Sequence, residues 1–390
     1  MKTILRTTAR TAVALLASLL ALLTGLIMLG AYFPAIPKVG VIGPVLGGQY
    51  PFHMALFALT GLCLALLAWR GRPHRWGRAV TVITAVSTAA ALLIGGVQLN
   101  TALRAGAQIS ARDILTELAY PGATPDRTET YATRDDQNLD VDIYLPEDTG
   151  NAPAIILAHA GGFHVFDKSD LRGTGRWLAD HGVAVFAVDY RLATADRPTW
   201  DKAPQDLVTS LRWIREHADT FGIDRDRIAM GGMSAGGTLA MNTAYRLQNG
   251  TITATDGATP EPPATVVGFY PGTDVTRMWQ RDVAGSRNAA ELFIGGTPDQ
   301  YPDRYREVSP LAEVRPGLQP TLMVVGDRDR SAPPATVREL ADALHGAGVD
   351  TTVKELPFAE HAFDDAYGSL TSQTSRQLLL DFLTDREPAS

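Results

Sequence analysis

The 390-residue chain has a single cysteine, Cys63, so no disulfide can close within it and the cysteine count leaves the compartment open. No cysteine cluster and no His-x-x-x-His spacing occurs, and a metal site therefore has no support. There is no nucleotide-binding glycine loop and no internal repeat, and no cofactor is expected. Positive charge is also short: 35 Lys and Arg stand against 42 Asp and Glu, a net charge of −7. It is unevenly spread. Residues 1–120 hold ten Lys/Arg and two Asp/Glu, the remainder 25 and 40. So acidic a remainder argues against nucleic acid as a partner.

The basic third is also the apolar one. Thr11 to Phe33 is almost wholly apolar and long enough to cross a bilayer core of about 30 Å as a helix. Further apolar runs cover about 52–69 and 79–99, and the spans expected are 11–33, 52–69 and 79–99. A cleaved signal peptide is the alternative for the first run, but its apolar core exceeds the usual length of about 7–15 residues and no small-x-small site ends it. Lys2, Arg6 and Arg10 precede the first run, and Arg70, Arg72, Arg75 and Arg78 fill the link between the second and third. The other link holds only Lys38. The positive-inside rule then puts the N-terminus and the arginine link in the cytoplasm. Everything after Leu99 falls outside, giving a multi-pass protein of the cell membrane anchored in lipid. Residues 101–135 read as a juxtamembrane helix (Leu103, Ile109, Ile114, Leu115, Leu118) followed by a polar linker from Pro121.

From residue 136 onward, strand-like and helix-like stretches alternate, the pattern of a mainly parallel α/β sheet. Strands are expected near 139–145, 153–158, 183–188, 227–232, 265–270, 320–325 and 351–356. Within this frame the run Arg227 to Met230 ends in Gly232-Met233-Ser234-Ala235-Gly236-Gly237. That sequence reads as a strand, a sharp elbow with Ser234 at its apex, and a helix whose first N–H groups face any negative charge formed there. Upstream, Ala154 to Ala158 is a buried-strand run that ends in His159-Ala160-Gly161-Gly162-Phe163. Backbone N–H groups of Gly161, Gly162 and Ala235 would suit an oxyanion hole, although a plain strand-to-helix turn is the simpler alternative.

A nucleophilic serine needs a base and an acid. After the run Thr321 to Val325 come Asp327 and Asp329, and after the strand near 351–356 comes His361. The order serine, acid, histidine, each after a strand, is that of α/β-hydrolases. Of the eight histidines, His53 and His74 lie in the membrane region, and His181, His217 and His345 fall in or just after helices. None of these five suits a base. His164 stands too near the glycine loop to be placed.

From about Asn138 onward the chain resembles the α/β-hydrolase superfamily, most closely carboxylesterases of the hormone-sensitive-lipase and feruloyl-esterase-like groups. The resemblance rests on Leu139 to Pro146, the His159 loop, Asp167-Lys168, Asp189-Tyr190-Arg191-Leu192, the Ser234 elbow, Ser309-Pro310, Asp329 and His361. It implies an α/β-hydrolase fold over 136–390 and a catalytic triad of Ser234, Asp329 and His361. The acid is Asp329 because the family pattern sets it three residues after the glycine. Ala160 stands where the family commonly has the first of three glycines, Met233 where many relatives have aspartate, and Ala362 where glycine is common. Asp189 and Arg191 read as a structural ion pair with each other. A long insertion at about 271–309 (Trp279, Leu292, Phe293, Ile294) is either a lid or wall of an acyl pocket or a small core of its own.

The function expected is hydrolysis of small-molecule or cell-envelope esters, by default short-acyl ones, in an extracytoplasmic active site. A peptidase, amidase or lipase on the same scaffold, or a non-catalytic binding protein, are the alternatives.

Overall fold

The computed structural model describes residues 2–70, 74–148 and 150–385, with side chains from residue 8 onward. Lys2, Arg6 and Arg72 of the orientation argument therefore lie outside the described side chains. Two units are present, one made of the chain up to Ala119 together with Leu356–Thr374, the other of Tyr120–Glu355 with the chain from Ser375.

In the first unit three helices, Lys2–Tyr32, Pro51–Ala68 and Arg75–Arg104, pack side by side. Each is long and apolar enough to cross a membrane. Small residues lie where they meet. Ala17, Ala21 and Ala65 are buried with Val80, and Ala31, Ala55 and Ala91 with Met28, Met54 and Ile94. Leu15, Leu22, Leu66, Leu67 and Leu93 point outward. This inversion of the soluble pattern suits helices surrounded by lipid, where close backbone approach rather than water exclusion drives association. Arg10 donates to the carbonyls of Ala68 and Arg70, which sets the start of the first helix beside the end of the second. The other end of the bundle carries Tyr32, a turn of π-helix at Gly43–Gly48, Pro51 and Gln98.

Past the third helix the expected helical stretch is interrupted. The chain breaks at Ala105 and Gly106 (φ 66°) and forms only a short helix, Ala111–Thr116. Ser110 caps that helix by accepting from Asp113 N at 3.2 Å.

The second unit is an eight-stranded sheet. Its strands are β1 Arg127–Arg134, β2 Gln137–Tyr144, β3 Ala152–Ala158, β4 Ala184–Val188, β5 Ile223–Met233, β6 Val266–Phe269, β7 Thr321–Gly326 and β8 Thr351–Leu356. Their spatial order is β1-β2-β4-β3-β5-β6-β7-β8. The pairs from β4 through β3, β5 and β6 to β7 are parallel, and β1 and β2 are antiparallel. The central strands are buried on both faces, which is why they read as unbroken Val, Ile, Leu and Ala. β1 occupies residues expected to be linker. It forms a hairpin with β2 through Asp135 and Asp136, both at positive φ (49° and 60°), the backbone that a tight two-residue turn needs.

The unit boundaries also differ from a simple division into anchor and 136–390 hydrolase. Leu356–Thr374, which begins at the last residue of β8 and carries His361, groups with the N-terminal unit.

Candidate active site

The sheet brings two loops together. Ala158 at the end of β3 pairs with Gly232 near the end of β5, so the chain leaves both strands side by side. At the end of β5, Ser234 takes φ 52° and ψ −115°, a conformation that a non-glycine residue holds only where its surroundings fix it. Those surroundings are dense. Ser234 N donates to Phe269 O at 2.9 Å, and Ser234 O accepts from Thr238 N (2.9 Å) and Thr238 Oγ1 (3.1 Å). Thr238 Oγ1 also accepts from Gly272 N at 2.8 Å, which ties the elbow to the loop after β6. A Cβ at Gly236 would collide with the carbonyl oxygens of Ala158 and His159, and one at Gly232 with the backbone of Gly236. The glycines of the motif are thus set by close passage of strand, helix and loop. Met233 and Ala235 are buried on either side, whereas Ser234 is half-buried at the N-terminus of the helix Ala235–Asn249.

The loop after β3 has three consecutive residues at positive φ: Gly161 (112°), Gly162 (57°) and Phe163 (69°). The N–H groups of His164 and Val165 both donate to Gly161 O at 3.1 Å. His164 Nδ1 lies 2.9 Å from Gly162 O, so His164 braces this loop from within. His159 is buried at the base of the loop, with its ring stacked on Tyr190 at 4.4 Å and its carbonyl accepting from Tyr190 Oη at 2.9 Å. Burial holds the His159 imidazole below its ordinary pKa and keeps it neutral. Phe163 stacks on Phe293 of the insertion at 4.0 Å, and a Cβ at Gly162 would reach Ala289 at 3.2 Å. Both partners lie on the helix Ser286–Ile294, one of three short helices in 271–309, so the insertion abuts the glycine loop directly.

Asp329 lies beyond β7. It is 4% exposed, and Oδ1 accepts from Ala332 N at 2.7 Å. Asp327, two residues earlier, is half-buried and pairs with Arg328 at 3.6 Å. His361 belongs to the first unit. It is half-buried, its N–H donates to Glu360 Oε1 at 3.2 Å, and Gln49 Nε2 donates to the next carbonyl, Ala362 O, at 3.2 Å.

The expected Asp189–Arg191 pair does not form. Asp189 Oδ2 binds Lys168 Nζ at 2.6 Å, and Arg191 binds Asp206 at 2.7 Å and Asp135 at 3.1 Å. The long Arg191 side chain reaches the helix Ala203–Glu216, where Asp206 is 1% exposed and needs a bidentate partner. The other histidines have local partners. His181 and His217 each stack on a tryptophan one helical turn earlier, His345 Nε2 lies 3.0 Å from Thr351 O, and His74 caps the helix Arg75–Arg104. Tyr190, named in the sequence only within the Asp189–Leu192 motif, braces the loop after β3, and Thr238, which was not singled out, braces the elbow, because a Thr one helical turn after the serine carries no distinctive spacing.

A mainly parallel sheet with a strained serine at a strand-to-helix elbow defines an α/β-hydrolase, and the similar proteins are esterases. Esterase LipC of Mycobacterium tuberculosis is 29% identical over 297 residues, 70% of this chain and 71% of LipC. An ethyl acetate hydrolase of Pseudomonas putida is 33% identical over 223 residues, 56% of this chain and 65% of that enzyme. The solved structure of esterase LipW from Mycobacterium marinum superposes with a TM-score of 0.56 at 25% identity, covering 74% of this chain and 84% of LipW. This chain is an ester hydrolase of the carboxylesterase class. It belongs to the BD-FAE family, which matches residues 141–344.

Proposed function

We propose that Ser234, His361 and Asp329 form the catalytic triad and that Gly161, Gly162 and Ala235 supply the oxyanion hole. Ser234 Oγ attacks the ester carbonyl as His361 takes its proton, and Asp329 orients and charge-compensates the imidazolium. The alcohol leaves with that proton, and water repeats the cycle on the acyl-enzyme. The backbone of Ser234 carries this reading. A non-glycine residue at φ 52°, pinned by four hydrogen bonds' worth of surrounding loop and helix, is costly and has its use in lifting a nucleophile clear of the sheet.

The insertion serves as a wall of the acyl pocket, because its helix Ser286–Ile294 packs on the glycine loop through Phe293 and Ala289. The Pseudomonas relative, an ethyl acetate hydrolase by name, supports small acyl groups as substrates. The three long helices anchor the enzyme in the membrane. Arg10, Arg70, Arg75 and Arg78 mark one end of the bundle as cytoplasmic, and Leu356–Thr374 lies at the opposite end, which supports an extracytoplasmic site.

The test is labelling of the full chain in detergent with a fluorophosphonate probe, followed by peptide mapping. Adduct on Ser234, absent in Ser234→Ala, is the expected result. A labelled Ser234→Ala protein, or one that hydrolyses p-nitrophenyl acetate at the native rate, overturns the mechanism.

A further inference from the structure

The segment around His361 is held by residues of the N-terminal helices. Gln98, 2% exposed near the end of the third long helix, donates from Nε2 to Gly48 O at 2.8 Å and to Pro357 O at 3.1 Å. Gln49, 6% exposed, donates to Ala362 O at 3.2 Å. Between these anchors the ring of Phe358 stands edge-on to Tyr32 at 5.2 Å, and Gly48 passes so close to Phe358 O that a Cβ there would collide. Farther along, Gly368 N donates to Glu117 O at 2.8 Å, and Gln373 bonds both backbone groups of Ser110.

Two features exceed what a tether requires. First, a glutamine buried in an apolar helix is costly unless it is hydrogen-bonded, and Gln98 spends its donors on the link and the histidine segment while its Oε1 has no hydrogen-bond partner among the described residues. A leucine would serve a plain anchor better. Second, Phe358 and Ala362, on either side of His361, both sit at left-handed φ (57° and 55°), and such backbone persists only where neighbours over-determine it. Those neighbours are Gln98, Gly48, Tyr32 and Gln49.

We infer that Gln98 and Gln49 are positioning residues for His361, so that the helix bundle sets the alignment of the general base. The inference rests on the triad reading. Removing either amide donor frees one side of the histidine segment. Since a misplacement of about 1 Å costs on the order of 10²-fold in rate, a partial slackening should lower kcat about tenfold and leave KM nearly unchanged. It should also move the acidic limb of the kcat/KM profile to lower pH, because an imidazole that drifts from its carboxylate is less easily protonated.

The test uses the full chain in detergent, with p-nitrophenyl acetate as substrate and Gln98→Leu, Gln49→Met and Thr84→Val as variants. Thr84 is fully buried in the same helix as Gln98, but among the described residues its hydroxyl bonds only to the Val80 and Thr81 carbonyls. Thr84→Val therefore disturbs the bundle without touching the loop, and it should keep native kcat and pH profile. Lower kcat with the acidic limb displaced in the two glutamine variants is the expected result. Should Gln98→Leu fail to fold, Gln49→Met carries the test alone. Native kcat and pH profile in the glutamine variants that fold overturn the inference, as does an equal loss in Thr84→Val. His361→Gln is measured in parallel. If it is inactive the triad reading stands whatever the glutamines do, and if it is active that reading itself is wrong.

Discussion

Gly161→Ala tests whether the loop after β3 serves catalysis or merely turns the chain. At φ 112° Gly161 occupies backbone space that L side chains rarely adopt, and a Cβ there would lie on the Val165 carbonyl oxygen, far inside the 3.0 Å that real Cβ atoms essentially never cross. The obstacle is backbone, so rotamer adjustment cannot relieve it, and the loop must move by on the order of 1 Å. Left-handed strain in a non-glycine residue adds about 1–3 kcal/mol. Loss of one oxyanion donor typically lowers kcat by about 10²–10³. Gly162→Ala is the internal comparison. Its φ is 57°, and its Cβ would meet Ala289 and the His164 ring at 3.2 Å, contacts that side chains can yield. The expected order of kcat is native, then Gly162→Ala, then Gly161→Ala at about a hundredth of native or less. Ala160→Gly should be mild. The assay is turnover of p-nitrophenyl acetate by the full chain, with a thermal melt to confirm folding. A folded Gly161→Ala protein with native kcat refutes the oxyanion role.

Other outcomes follow from the same geometry. Asp329→Asn should leave the fold intact and cost on the order of 10⁴ in rate, whereas Asp327→Asn should be mild, and reversed results would move the acid by two residues. In intact spheroplasts, added protease should degrade the hydrolase while sparing cytosolic markers, and protection until lysis would mean that the site faces inward. Buried His159 is protonated less readily in the native state than in the unfolded chain. The unfolded chain therefore binds the extra proton below about pH 6.5, and stability falls as pH drops through that value. Melting temperatures at pH 5 and 7.5 should differ less in His159→Asn than in the native chain, and an equal difference would assign the pH effect to other groups.

The legible parts of the sequence were those in which one physical demand governed a whole stretch. Burial on both faces made β3, β4 and β7 continuous apolar runs, and sheer length and apolarity made the three long helices unmistakable. Close backbone passage left the Gly232, Gly236 and Gly237 pattern around Ser234. β1 was missed because Arg127–Arg134 is a largely exposed edge strand whose polar alternation resembles a linker. The break at Gly106 was hidden by helical spacing that continues on either side of it. The Asp189 and Arg191 partners depend on Lys168 and Asp206, which only the folded sheet brings within reach. No local pattern could reveal that Gln49 and Gln98 would meet a segment some 300 and 260 residues away.

Those separations have a consequence for biogenesis. Residues up to Ala119 leave the ribosome well before Leu356–Thr374, so the N-terminal helices form with their histidine-side contacts unfilled. Gln98 then has its Gly48 partner but not Pro357, and Gln49 lacks Ala362. The entropy of closing so long a loop must be met before the contacts reward it. If His361 is the base, as proposed, its segment would be fixed last, after the sheet carrying Ser234 has been synthesised. On the proposed triad, a newly made enzyme is catalytically silent until Leu356–Thr374 meets the N-terminal helices, and damage to that step would yield an inactive protein with this segment open to protease.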